Sequence, residues 1–107
     1  MTTFDRREES FEKKFAHDEE LRFRAVARRN RRLAAWAAEK LGKPAADVEA
    51  YFKDVMAADL SESGDEDVVR KVFADFQAAG VQQSEHQIRR TMEEFLAVAV
   101  EDIKAGR

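Results

Sequence analysis

The residues of this chain that could do chemistry are two histidines and many carboxylates, arginines and lysines. The 107 residues include 22 Asp and Glu, 19 Lys and Arg, and no cysteine. His17 and His86 have no second histidine three or four positions away, so they do not show metal-ligand spacing. The sequence contains no glycine-rich phosphate loop or nucleophile motif, and no pattern places two carboxylates in a dry pocket. We therefore predict that the protein is not an enzyme and holds no metal or cofactor.

Charge is distributed unevenly along the chain. The net charge is -3, but residues 1–20 carry four basic and seven acidic side chains, and residues 33–107 carry nine basic and fifteen acidic ones. Between them, residues 21–32 carry six arginines and no acidic residue. Such an arrangement is informative about what a protein contacts rather than about how it folds.

Three interpretations of these arginines remain open. They could form a solvated helix surface, neutralised by the acidic parts of the same chain. They could instead contact an acidic protein surface or phosphate groups. Binding to duplex nucleic acid is the least favoured interpretation, because the chain is acidic overall and six arginines within residues 22–32 would cover most of a helix circumference. The candidate contacts with phosphate or an acidic surface are Arg22, Arg24, Arg28, Arg29 and Arg31.

Glycine, proline and apolar spacing define the elements that must position these residues. The sequence predicts an all-α fold, a small antiparallel four-helix bundle with a long first helix. Breakers at Gly42, Pro44, Gly64 and Gly80 separate the segments, and a capping-box pattern begins at Ser84. The predicted helices cover residues 21–41, 45–60, 65–79 and 84–105.

The first segment is too long for the bundle. Residues 3–41 contain no breaker, and as one helix they would span roughly 58 Å, against about 23–33 Å for the other segments. A dense apolar stripe occurs only in the later part, at Leu33, Trp36, Ala37 and Leu41. We therefore expect residues 21–107 to form the bundle and residues 1–20 to project from it as a mobile N-terminal segment.

Three phenylalanines stand out in that segment. Phe4, Phe11 and Phe15 are spaced i, i+7 and i+11, which places them along one side of a helix within a highly charged sequence. This pattern is typical of a segment that folds when its aromatic stripe enters a partner's groove. The alternative is that the phenylalanines pack against the bundle of their own chain.

The apolar runs are too short to cross a membrane. The longest, residues 33–38 and 95–100, contain six residues each, whereas a membrane helix needs about 20. The N-terminus also lacks the apolar stretch of a signal peptide. We expect no membrane insertion and no export.

Several stretches, among them Phe-Ala-His-Asp-Glu-Glu-Leu at residues 15–21 and Ala-Arg-Arg-Asn at residues 27–30, together resemble the zeta subunit family, small bacterial inhibitors of the F-type ATP synthase. The combination of a Phe-Ala-His-Asp-Glu-Glu-Leu stretch with Ala-Arg-Arg-Asn is specific, and the resemblance covers nearly the whole chain. The resembling stretches are residues 3–8, 15–23, 27–30, 36–42, 64–68 and 95–101.

This resemblance implies a noncatalytic, regulatory protein with a four-helix fold. The N-terminal segment would become helical as it enters a catalytic alpha/beta interface of the enzyme's head near the gamma subunit, and would thereby block ATP hydrolysis. The protein would be a monomer when free, cytoplasmic, and attached to the inner membrane through the synthase. Weak binding of adenine nucleotides by the arginines would be compatible with this role. The implied inhibitory residues are Thr2, Thr3, Phe4, Asp5, Arg6, Arg7, Glu8, Phe11, Glu12, Lys14 and Phe15.

The chain departs from the family's pattern at two positions. The family usually opens with Phe-Asp-Asp-Arg-Glu, whereas this chain has Arg6 at the second acidic position. Near position 32 the family often has an apolar residue, and this chain has Arg32. The first departure reverses a charge in the inhibitory segment, and the second bears on the packing of the first long helix.

The aromatic stripe leads to a first prediction. Changing Phe4, Phe11 and Phe15 to Ala should weaken inhibition of ATP hydrolysis, because each side chain contributes roughly 1.5–3 kcal/mol when fully buried. The measurement is ATPase activity at increasing concentrations of each variant. If all three variants inhibit as the parent does, the phenylalanines are not the anchors of the segment.

Overall fold

A computed structural model describes residues 19–60 and 64–107 of the chain. The described residues form four α-helices, and no strand occurs among them. The predicted all-α fold with four helices is therefore confirmed. The helices are α1 (Glu19–Lys40), α2 (Val48–Asp59), α3 (Asp65–Ala79) and α4 (Glu85–Lys104), with a one-turn 3-10 helix, Ala45–Asp47, before α2.

The predicted helix ends agree closely with the structure. The largest difference is at residues 45–47, which form the 3-10 turn instead of the start of α2. Gly80 ends α3 in the left-handed conformation, with φ of 72°, which glycine adopts without steric cost.

Glu19 and Glu20, predicted to be part of the projecting segment, are helical. The rest of that segment, residues 1–18, lies outside the described residues.

The capping box predicted at the start of α4 is present. The Ser84 hydroxyl accepts a hydrogen bond from the Gln87 backbone N–H at 3.1 Å. The Gln87 side chain accepts one in return from the Ser84 backbone N–H at 2.9 Å. Two N–H groups that have no partner within the helix are thus satisfied. The acidic residues 65–67 occupy the first turn of α3, where negative charge is favourable, while the N-cap itself is Gly64.

The core lies between the four helices and is formed mainly by small and medium apolar residues. Four alanines of α1 are completely buried beside Leu33, which lets the other helices approach α1 closely. Trp36 adds an edge-to-face contact with Phe76 of α3, with 5.6 Å between ring centroids. The buried apolar residues of the other helices are Tyr51, Val55, Val68, Val69, Val72, Phe76, Ile88, Met92 and Ala99.

The contacts between helices define part of the topology. Asn30, in the middle of α1, donates a hydrogen bond to Asp59 at the end of α2, and Arg31 in the same turn of α1 donates one to Glu49 at the start of α2. Arg89 and Glu66 form an ion pair that joins the early turns of α4 and α3. Two strictly antiparallel neighbours would instead bring the start of α4 beside the end of α3. The antiparallel packing of all four helices therefore stays a prediction.

The first turns of α1 extend past the end of α2. Phe23 lies on the same side of α1 as Asn30, seven positions earlier, yet its side chain is 59% exposed. The reason is that α2 ends opposite Asn30.

The different burial of Phe76 and Phe23 leads to a prediction about stability. Phe76→Ala should lower the free energy of unfolding by about 3–5 kcal/mol, because it leaves a cavity beside Trp36. Phe23→Ala, the matched control, should change it by about 0.5 kcal/mol or less. Urea denaturation followed by circular dichroism measures both. Equal losses would mean that Phe76 is not a core residue.

Candidate partner-binding surface

Four of the arginines predicted from the sequence as a cluster share one side of α1. Arg24, Arg28, Arg31 and Arg32 are spaced i, i+4, i+7 and i+8, and they line the face of the helix that points away from the core. We call these four residues the arginine row. The spacing predicts arginines around most of the helix circumference; in the structure these four lie on the outer face, whereas Arg29 turns inward.

Two members of the row are held in place by neighbouring side chains. The Arg31 guanidinium donates a hydrogen bond to Glu49 at 2.7 Å, and it stacks 4.1 Å from the centre of the Phe52 ring. This hydrogen bond lowers the pKa of the Glu49 carboxyl below its ordinary value. Arg32 donates to Asp102 of α4 at 3.2 Å. Arg24 and Arg28 form no ion pair with any of the described residues.

The row borders an open depression with positive walls. Arg28, Arg31, Arg32, Arg107 and Asp102 surround a volume of about 340 Å³. Asp102 is shared, because one carboxylate oxygen lies 3.2 Å from Arg32 and the other lies 3.3 Å from Arg107. Four guanidinium groups stand against two carboxylates, Asp102 and the Glu49 that binds Arg31, so the site has a net positive charge that attracts anions.

Arg29 has a different position from its neighbours. Its side chain is only 2% exposed and lies between three helices. The guanidinium is 2.9 Å from Asp65 at the start of α3 and 3.4 Å from Asp59 at the end of α2. It also donates to the side chain of Asn30, whose amide donates to Asp59. Arg29 was predicted to contact phosphate or an acidic partner, but in the structure its contacts are with the chain's own carboxylates.

The remaining predicted site residues fall into two groups. Arg22 is exposed, but it lies on a different side of α1 from the arginine row. The predicted inhibitory residues all lie outside the described residues: Thr2, Thr3, Phe4, Asp5, Arg6, Arg7, Glu8, Phe11, Glu12, Lys14 and Phe15.

Sequence reasoning missed the contribution of two arginines to the depression. Arg32 had been noted as a departure that bears on helix packing, but its side chain is exposed and pairs with Asp102, so the core of α1 is not interrupted. Arg107 is 75 positions away from Arg32, and no local pattern in the sequence indicates that the two meet.

A second depression, about 330 Å³ in volume, surrounds Tyr51. The Tyr51 hydroxyl donates a hydrogen bond to Asp75 at 2.8 Å, and Lys71 donates to the same carboxylate at 3.0 Å. Burial and this hydrogen bond raise the pKa of Tyr51 far above its ordinary value, so the phenol stays protonated. These contacts connect α2 to α3, and we assign them a structural role.

The described residues offer no arrangement for metal chemistry. No group of three or more His, Asp or Glu side chains within residues 19–60 and 64–107 is placed to hold a metal ion. His86 is exposed in the first turn of α4. No described helix combines the length and the apolar character that a membrane span requires.

Comparison with known families gives one match. A family model described as ATPase inhibitor subunit zeta matches residues 1–102, which include the N-terminal segment, α1, α2, α3 and most of α4. No curated protein matches the chain.

The burial of Arg29 leads to a prediction that separates it from its neighbours. Arg29→Leu should lower the free energy of unfolding by about 3–5 kcal/mol, because it leaves the Asp59 carboxylate, 13% exposed, without its buried partner. Arg31→Leu is the matched control, and removing its exposed pair with Glu49 should cost about 1 kcal/mol or less. Thermal and urea unfolding test both variants. Similar losses for the two would contradict a special role for Arg29.

Proposed function

The chain belongs to the ATPase inhibitor subunit zeta family, and from this membership we propose that it blocks ATP hydrolysis by F-type ATP synthase. The inhibitory element is the N-terminal segment, residues 2–15. It enters a catalytic alpha/beta interface of the enzyme's head, near the gamma subunit, and becomes helical there. The four helices carry the segment and do no chemistry themselves.

The observation that carries this proposal is the extent of the family match. It begins at residue 1 and therefore includes the whole inhibitory segment as well as the bundle. The aromatic stripe of Phe4, Phe11 and Phe15 supports the same assignment, because it gives the segment an apolar side for a groove. The exposure of Phe23 supports it too, since this residue lies in the part of α1 that follows the segment and α2 does not cover it.

The energetics of such a segment fit reversible inhibition. Ordering a flexible segment on binding has an entropic cost, which keeps the affinity moderate. Burying three phenylalanines offsets this cost by roughly 1.5–3 kcal/mol each. The net affinity is therefore high enough to stop the enzyme and low enough for the segment to be released.

The proposed partners are the alpha, beta and gamma subunits of the catalytic head. The free protein is a monomer in the cytoplasm and reaches the inner membrane only through the synthase. Nucleic acid has no place in this proposal, because the net charge is -3 and residues 33–107 carry fifteen acidic side chains against nine basic ones.

A second candidate function is the capture of phosphate groups, including those of an adenine nucleotide. The depression between Arg28, Arg31, Arg32 and Arg107 favours it, because four guanidinium groups there exceed the two nearby carboxylates, Asp102 and Glu49. Binding of this kind weakens steeply as salt rises, so a nucleotide titration at low and high salt tests it.

Removing residues 1–15 tests the main proposal. The shortened chain should keep its helical circular dichroism, because all four helices and the core remain, but it should no longer inhibit the purified synthase. The full-length chain is measured beside it at the same concentrations. Unchanged inhibition by the shortened chain would mean that the inhibitory surface lies on the bundle. Absence of inhibition by the full-length chain would contradict the proposed function.

A further inference from the structure

We propose that, in the free protein, Phe11 of the N-terminal segment docks into an apolar depression of its own bundle, between α1, α3 and α4. The consequence of this docking rests on the proposed function, because the same phenylalanine cannot occupy the bundle and the enzyme at once. Docking on the bundle then sets how much protein is needed to inhibit the synthase.

The depression combines an apolar lining with charged groups around it. Val69 of α3 and Met92 of α4 are almost fully buried in it, and Leu96, one turn after Met92, is half-buried. Such a site suits an apolar side chain that is carried by a charged segment. The polar side chains that line it are those of Arg29, Asp65, Glu66, Arg89 and Glu93.

The size and chemistry of the depression favour an aromatic ring. Its volume is about 170 Å³, and an apolar cavity of roughly 150 Å³ is large enough to hold benzene. The sulfur of Met92 lies among the lining groups, and methionine sulfur makes favourable contacts with aromatic rings. The guanidinium of Arg89, whose side chain is 42% exposed, can also lie against a ring. The depression therefore has room for one phenylalanine side chain.

The length of chain before α1 determines which phenylalanine enters. Because α1 begins at Glu19 and Arg29 lines the depression, the segment must return about 15 Å along the helix. Phe15 is four residues before Glu19, and four extended residues span only about 13–14 Å. Phe11 is eight residues before it, and eight residues span up to about 26–29 Å, which also covers the sideways distance to α3 and α4. Phe4 reaches as well, but closing its longer loop costs more chain entropy.

The charges beside Phe11 match those around the depression. Glu93 is exposed there and forms no ion pair with any residue of 19–60 or 64–107. Lys13 and Lys14 follow Phe11 by two and three positions, so docking would place two ammonium groups near this carboxylate. Exposed pairs of this kind add little affinity, but they favour one direction for the segment across the depression.

The covalent connection makes a single aromatic anchor sufficient. The segment and the bundle belong to one chain, so docking is intramolecular, and a short connection gives an effective concentration in the millimolar range. A phenylalanine that would bind only weakly as a separate ligand can then be docked in much of the population. The docked state is still weak enough for the enzyme's interface to compete with it.

Docking has a definite consequence for inhibition. Only the undocked fraction of the free protein can insert its segment, so the apparent dissociation constant from the enzyme rises as that fraction falls. If about two-thirds of the free molecules are docked, the concentration needed for half-maximal inhibition rises about threefold. The maximum inhibition at saturation does not change.

NMR of the methionine methyl groups tests the docking without the synthase. The chain has three methionines, of which Met92 lines the depression and Met56, whose sulfur is 3.3 Å from the Asn30 amide nitrogen, serves as an internal reference. Phe11→Ala should shift the Met92 methyl resonance, because the ring current of the phenyl group disappears. Removing residues 1–15 should shift it to the same position. Phe4→Ala, the matched control, should leave it in place, and the Met56 resonance should not move in any of these chains.

The Met92 resonance also identifies the occupant. An unchanged resonance in Phe11→Ala would overturn the proposal, and so would an equal shift in Phe4→Ala. The parent chain is then diluted. A Met92 resonance that is independent of protein concentration supports docking within one chain, whereas a dependence on concentration would mean that the segment of a second copy fills the depression and that the proposal is wrong.

A change on the bundle side tests the consequence for inhibition, since Phe11→Ala would also remove a predicted anchor in the enzyme. Leu96→Gln makes the lining of the depression polar. Val98→Gln, the matched control, makes a similar change two positions later in α4, at a side chain that is 40% exposed. Circular dichroism checks that both variants are folded. Leu96→Gln should need about threefold less protein than the control for half-maximal inhibition of ATP hydrolysis, with the same maximum.

The outcomes of this comparison separate the inference from its premise. Equal inhibition by Leu96→Gln and Val98→Gln would overturn the competition between bundle and enzyme. Weaker inhibition by Leu96→Gln would mean that the enzyme itself contacts the depression, and would overturn it too. If the parent chain does not inhibit at all, the proposed function fails, whereas the Met92 resonance still decides whether Phe11 docks on the bundle.

Discussion

The buried guanidinium of Arg29 is the interaction on which the arrangement of this protein depends. It connects α1 to the end of α2 through Asp59 and to the start of α3 through Asp65. Arg29 points inward together with Leu33 and the buried alanines of α1, so Arg31 lies on the exposed side of the helix and Arg28 is half-buried. The packing of the first helix and the position of the arginine row are thereby linked. The polar atoms involved are satisfied, since no buried side-chain N or O among the described residues lacks a hydrogen-bond partner.

The same contact sets where the bundle ends along α1. Asp59 and Asn30 meet at the end of α2, and α1 continues beyond that point with Phe23 exposed. In this early part of α1, α2 leaves Phe23 uncovered, although Ala25 is completely buried. In the proposed mechanism, the bundle provides stability and the N-terminal segment provides inhibition. The uneven charge of the sequence follows the same order, because the basic residues 21–32 lie between the N-terminal segment and the rest of the bundle.

Local signals in the sequence were sufficient to predict the number of helices and the positions of nearly all of their ends. Gly80, Ser84 and Gln87 act through backbone geometry and hydrogen bonds to near neighbours, so their effect can be read without the fold. The roles of the arginines could not be read in this way. Arg28 and Arg29 are adjacent and chemically identical, and burial of an arginine is rare, so only the packing of α2 and α3 distinguishes them. The depression formed with Arg107 depends on the contact between Arg32 and Asp102 across 70 positions of sequence, which no local pattern encodes.

The central claim is that the N-terminal segment itself enters the catalytic interface, and crosslinking tests it most directly. Because the chain has no cysteine, a single cysteine can carry a photocrosslinker at one chosen position. Ser10→Cys places it within the segment without changing a phenylalanine, and Gln82→Cys places it on the exposed loop before α4 as a control. With the synthase inhibited, the account predicts crosslinks from position 10 to an alpha or beta subunit, and none from position 82 to the interface between them. Full inhibition without any crosslink from position 10 to these subunits would contradict it.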